Sequence, residues 1–349
     1  APLAASPRLH PLGHPPSPLH HGPHKASPAH PRPRQPLLGR RALHLLAAMN
    51  TALVFLKPHA ANDAVQKFAK DHLTSNKITV KSEGVLSSAK IKSDGIIDAH
   101  YAALAASAVK TTPADLAVTA EKKAEFKEKY GKAWDEAAKD GTLLNLAELQ
   151  AKVVPDMSVA EIEARWRAGP TMKLAPGLYV SRMEEEKVCV INGFYGSMRE
   201  KFTAPDQEVR WYLTEWDEKE LAWKDFRGRV IGATNPQEAA DGSLRSLVMK
   251  RWKELGLAAE PSTADNGVHA SAGPLEGLKE RMVWLGATPD TDSYGKLLAE
   301  RAVAGAVLDG LLNNAVVEMG GNKGPSFDLT EDIDSSEVLE MAGKLAAAK

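Results

Sequence analysis

Apolar runs too short to be helices alternate along this chain with stretches of helical period. A chain built that way must pair its strands across intervening helices. Residues 53–56, Leu-Val-Phe-Leu closed by Lys57-Pro58, read as a buried strand. Asn62 or Asp63 can cap the helix that follows, where Val65, Phe68, Ala69, His72 and Leu73 recur on one face. Residues 78–86 read as a second strand, and 94–109 as a second helix carrying His100 and Tyr101. Strand character returns at 208–216, with Val209, Trp211 and Leu213 on one face and Arg210, Tyr212 and Thr214 on the other. Gly273-Pro274 opens a helix with the stripe Leu275, Leu278, Met282 and Leu285, and 294–313 form another. The class expected is α+β: a sandwich with an antiparallel sheet and helices on one face. No internal repeat is found.

Two stretches break the alternation. Residues 1–48 are rich in Pro, His, Ala and Arg, a composition that resists regular structure and is expected to be disordered. They hold Arg8, Lys25, Arg32, Arg34, Arg40 and Arg41 and no acid. An organelle transit peptide, giving a mitochondrial or plastid address, and a non-native extension ahead of Met49, leaving a cytoplasmic or ciliary one, both account for them. The histidines in this stretch lack metal-ligand spacing. Residues 111–190 read as a mainly helical insertion: 121–139 form a solvated helix ending near Gly141, and Ser158-Val159-Ala160-Glu161 is a capping box. The domains are therefore 49–110 with 191–290, interrupted by 111–190, and a helical extension at 291–349 with an acidic tail.

Composition excludes some partners. The 349 residues are 43% hydrophobic and 26% charged, with a net charge of −1. Because the first fifty residues are basic, the body is acidic, which gives no electrostatic reason to expect nucleic acid. Cys189 is the one cysteine, so no disulfide forms within the chain, and it reads as a packing residue. No run reaches the roughly 18 apolar residues of a membrane span.

Chemistry concentrates in the second half. Gly232-Ala233-Thr234-Asn235-Pro236 is followed by Gly242-Ser243-Leu244-Arg245, then Asn266-Gly267-Val268-His269-Ala270-Ser271, then Glu280 and Trp284-Leu285. Of eleven histidines only His59, His72, His100 and His269 lie beyond the first fifty residues. With Lys57-Pro58 and His100-Tyr101, this constellation resembles the active-site core of the nucleoside diphosphate kinases. The match runs over about residues 51–101 and 193–286.

The resemblance implies a ferredoxin-like βαββαβ fold and a ping-pong phosphotransferase, in which His269 takes the γ-phosphoryl of a nucleoside triphosphate and passes it to a diphosphate. A neutral imidazole is a competent nucleophile near neutral pH. The resemblance further implies that Glu280 fixes the imidazole tautomer, with Ser271 beside it. Lys57, Thr234 and Arg245 would hold phosphates, and Tyr101 and Asn266 would support the transition state or the sugar. Mg²⁺ would be held mainly by the phosphates. A solvated carboxylate is the alternative for Glu280, a surface lysine for Lys57 and a packing ring for Tyr101.

The chain also departs from the family pattern. Gly228 stands where an arginine is usual, flanked by Arg227 and Arg229, either of which could serve. His59-Ala60 replaces Asp-Gly, and Ala270 and Ala272 replace Gly and Asp. The base-stacking aromatic falls to Phe194 or Tyr195. The loop 246–265 is longer than usual, so the family's oligomer does not follow. The insertion and extension motivate a second reading, a kinase-like structural or docking subunit of a larger assembly with little turnover. Gly320-Gly321-Asn322-Lys323-Gly324 lacks phosphate-loop spacing, and the acids from Asp328 onward read as a solvated tail.

Overall fold

The computed structural model describes residues 49–348, so the expectations for residues 1–48 lie outside it. Its strands are β1 (Met49–Leu56), β2 (Thr79–Ser87), β3 (Leu143–Asn145), β4 (Thr171–Ala175), β5 (Leu178–Met183), β6 (Val188–Ile191), β7 (Glu208–Asp217), β8 (Val268–Ala270), β9 (Val316–Met319) and β10 (Asn322–Pro325). The principal sheet has the order β2-β7-β1-β8 and is antiparallel throughout.

β1 is its spine, buried from Asn50 to Leu56. Ala52, Val54 and Leu56 pack with Val65, Ala69 and Leu73 of the helix Asp63–Ser75 and with Trp223, Phe226 and Val248. Leu53 and Phe55 face the other way, onto Ile91, Ile97, Phe202 and Trp284. Helices therefore cover both faces, not one as expected. β1 is apolar at successive positions and so has no side to give to water. Each fully buried Leu or Phe there contributes roughly 1.5–3 kcal/mol. Asn62 caps the first helix, its side chain accepting from Val65 N at 2.9 Å.

Several expected helices are broken. Residues 94–109 divide into Ile96–His100, Ala102–Ala105 and a wider π turn over Ala106–Lys110. Residues 121–139 divide at Gly131, whose φ of +76° ends the first helix. Residues 294–313 divide into Ser293–Glu300 and Gly305–Leu312, with Ala302 left-handed between them. Only half of the capping box at Ser158 forms: Ser158 accepts from Glu161 N, while the Glu161 carboxylate pairs with Arg165.

Beside its helices the insertion contains a second sheet, β3-β6-β5-β4, which the sequence reading does not predict. Leu178–Met183 and Val188–Ile191 are short apolar runs that pair with each other, and Pro176-Gly177 is the turn between β4 and β5. Cys189 is buried there, as its packing role requires.

The C-terminal extension forms its own core with Leu275 and Leu278 of the helix Pro274–Leu285. Asp292 accepts two bonds from Arg281, and Asp334 accepts from Asn50 Nδ2 and Trp223 N, both at 2.7 Å. The acidic tail is thus docked at these points and not simply solvated. Gly320-Gly321 is the β9–β10 turn, both residues having positive φ. No helix among the described residues is long and apolar enough to cross a membrane.

Candidate active site

β8 is short, but it sets the position of His269. Its register places His269 opposite Phe55 on β1. Lys57 N donates to Gly267 O at 2.9 Å and Ser271 N to Leu53 O at 3.0 Å, fixing both ends. The Phe55 ring stacks on the imidazole with centroids 4.5 Å apart and planes at 21°, and His100 meets its edge at 4.9 Å.

Glu280 comes in from the helix Pro274–Leu285 and is 3% exposed, which excludes the solvated alternative. One carboxylate oxygen accepts from His269 Nε2 at 2.6 Å and the other from Ser271 Oγ at 2.6 Å. Ser271 Oγ in turn accepts from Leu53 N at 2.9 Å. Burial works to raise the Glu280 carboxyl, but His269, His100 and the two hydrogen bonds outweigh it and hold it below the usual carboxylate range. An ionised carboxylate only accepts, so in the neutral imidazole of His269 the proton is on Nε2 and the lone pair on Nδ1. His100, also near Glu280, is depressed to about 3, first by burial and then by His269, and so is neutral.

His269 opens on a cleft of about 720 Å³ lined by Lys57, Tyr101, Thr234, Arg245 and Asn266. The Lys57 ammonium is lowered to about 8 by burial and then by Arg245. Arg245 is lowered to about 10 by burial and then by Arg227. Arg245 donates only to carbonyls, Gly232 O at 2.6 Å and Val268 O at 2.8 and 3.1 Å. Neither cation has a carboxylate within ion-pair distance among the described residues. Buried charge left uncompensated in this way is costly, and an anionic ligand would relieve it.

The turn at 232–236 needs its glycine. Gly232 has φ +94°, and a Cβ there would lie 2.3 Å from Ser243 Oγ. Thr234 O accepts from Asn266 Nδ2 at 3.0 Å, whereas Asn266 Oδ1 is buried without a partner. Tyr101 lines the cleft and is pushed up to about 12 by burial and then by Glu280.

The arginines beside Gly228 differ from each other. Arg227 lines the cleft but is paired with Glu331 and Asp332 of the extension. Arg229 has a largely exposed side chain, with Asp225 a distant 3.9 Å away. Glu276, also lining the cleft, is raised to about 8 by burial and then by Glu280. Tyr195 is removed from the candidates: it is fully buried and its hydroxyl donates to Asp98. That pair lies at a separate groove of about 800 Å³, away from His269. Phe194 instead lines a smaller cleft of about 230 Å³ that shares Lys57 and Tyr101 with the first.

Sequence reasoning missed this second cleft's polar rim. His59 Nε2 accepts from Gly267 N at 3.1 Å, and Lys201 donates to both Asp265 oxygens at 2.8 Å. The adjacency of Asp265 to Asn266 was the available signal. For metals, His100, His269 and Glu280 have ligand atoms within 4.8 Å of one another. Two imidazoles and one carboxylate suit borderline or softer ions and not Mg²⁺, which takes oxygen donors.

Neither a protein-family model nor a curated protein matches the chain. Among solved structures it is similar to a nucleoside diphosphate kinase from Encephalitozoon cuniculi, with TM-score 0.34, 14% identity and coverage of 69% of this chain and 91% of that one. It is also similar to the Aquifex aeolicus nucleoside diphosphate kinase, with TM-score 0.30, 14% identity and 68% and 94% coverage. An NDP kinase from Pyrobaculum aerophilum gives TM-score 0.30, 12% identity and 68% and 95% coverage. These likenesses are distant, and the chemistry of the cleft stands on its own residues.

Proposed function

We propose that the protein is a nucleoside diphosphate kinase-like phosphotransferase that works through a phosphohistidine at His269. The observation that carries this reading is one imidazole beside cations that have no carboxylate partner among the described residues: His269, fixed through Nε2 by Glu280, shares a cleft with Lys57 and Arg245. The strand order β2-β7-β1-β8, interrupted by the insertion, supports a ferredoxin-like core for the same domain.

In this mechanism the Nδ1 lone pair attacks the γ-phosphorus of a nucleoside triphosphate. The N–P bond forms as the bond from phosphorus to the β-bridging oxygen breaks, and the diphosphate leaves with that electron pair. Nε2 keeps its proton, and Glu280 balances the charge that develops on the ring. Lys57 and Arg245 neutralise the phosphate oxygens, and the largely exposed Arg229 lines the same cleft. A terminal oxygen of a second diphosphate then attacks the phosphohistidine, and the same steps run in reverse. The free Asn266 Oδ1 suits a ribose hydroxyl donor, and Tyr101 and Thr234 complete the wall. Phe194 offers a ring face to the base. Mg²⁺, when bound, would be held mainly by the substrate's phosphates and would supply charge neutralisation there.

Steady-state transfer from ATP to GDP tests the proposal. Parallel lines in double-reciprocal plots, and loss of transfer in His269→Ala with nucleotide binding kept, are expected. Intersecting lines, or full transfer by His269→Ala, would remove the covalent step.

A further inference from the structure

We infer that the insertion completes the nucleotide site and that Arg167 is a base-binding residue of it. The inference rests on the phosphotransferase reading only for the place of the phosphates. Lys57 and Tyr101 belong to both the His269 cleft and the smaller cleft of about 230 Å³, so a ligand with phosphates at Lys57 extends into the smaller one. The smaller cleft is lined by Phe194 and Met198 and, from the insertion, by Glu163 and Arg167 on the helix Val159–Ala168.

That helix is a rigid support. Trp166 is buried beside Arg167, donates from Nε1 to Val190 O at 2.8 Å, and lies so close to Gly193 that a Cβ there would be 2.5 Å from its ring. Arg167 is itself aimed by Glu163, which accepts from its Nε at 2.7 Å. Arg167 and Phe194 recur together in an adjoining groove of about 370 Å³ with Trp166 and Tyr179. A planar guanidinium and an aromatic ring lining one cleft suit a flat heteroaromatic ring, on which either can stack. The ligand class is a nucleobase joined to phosphates.

The test is equilibrium binding of ADP and of inorganic tripolyphosphate to the full chain, its Arg167→Ala variant and its Arg167→Lys variant, alongside phosphorylation of His269 by labelled ATP. The Arg167 side chain is 59% exposed, so the variants are expected to keep the parent melting temperature. Arg167→Ala is expected to weaken ADP about tenfold and leave tripolyphosphate unchanged, with lysine restoring only part of the loss. Unchanged ADP binding, or equal weakening of both ligands, would overturn the inference. ADP binding that depends on Arg167 in a protein that never labels would keep the inference and discard the kinase. Labelling with no dependence on Arg167 would do the reverse.

Discussion

In the proposed mechanism Lys57 meets the phosphates with an ammonium already lowered to about 8, by burial first and Arg245 second. The protonated form binds anions, so the free protein loses this contact as pH rises through about 8. A fall in kcat/KM above that pH is expected, while kcat holds to higher pH because bound phosphate favours the ammonium. Lys57→Arg keeps its charge and should flatten that limb. A wild-type kcat/KM level from pH 6.5 to about 9.5 would contradict this assignment. Glu280 acts on the other side of the imidazole. Glu280→Ala frees the ring to turn and is expected to slow His269 labelling on the order of 10²-fold, read by rapid quench, with ADP affinity kept. Ser271→Ala leaves one bond to the carboxylate missing and should cost less.

At the scale of elements, the buried pair Arg281–Asp292 joins the active-site helix to the helix Ser293–Glu300, which Asp292 also caps through Tyr294 N and Gly295 N. Asp292→Ala strands a buried guanidinium and is expected to cost about 3–5 kcal/mol, seen as a lowered denaturant midpoint. The elements legible in the sequence are those whose period runs unbroken, such as β1, β7 and the helices Asp63–Ser75 and Pro274–Leu285. The illegible ones turn on backbone detail. Gly131 and Ala302 stop helices by left-handed φ, and the strands of the insertion are short enough that their pairing, not their composition, makes them strands. The candidate site divides the same way. His269, Ser271 and Glu280 are close in sequence and were legible as a group. His59, Lys201 and Asp265 meet only through tertiary packing, as do Arg227 and the acids of the extension.

Across the whole molecule, the extension reaches the His269 cleft and the insertion reaches the smaller cleft that shares Lys57 and Tyr101 with it. Glu331 and Asp332 hold Arg227 on its wall, and Asp332 N donates to Ala272 O at 3.0 Å, so this loop is docked beside His269. Replacing both acids, Glu331→Gln with Asp332→Asn, frees Arg227 for phosphate and removes negative charge from the wall. A several-fold lower KM for ATP is expected from steady-state kinetics, a charge-assisted contact being worth roughly 1.5–3 kcal/mol before its cost of ordering. All of this depends on His269 being the phosphate acceptor. Incubation with γ-labelled ATP and Mg²⁺, with and without GDP, tests that most directly in the wild type and His269→Ala. Acid-labile label on the wild type, removed by GDP and absent from the variant, is the expected result. A protein that binds ATP yet takes no label, or a variant that labels as well as the parent, would contradict it.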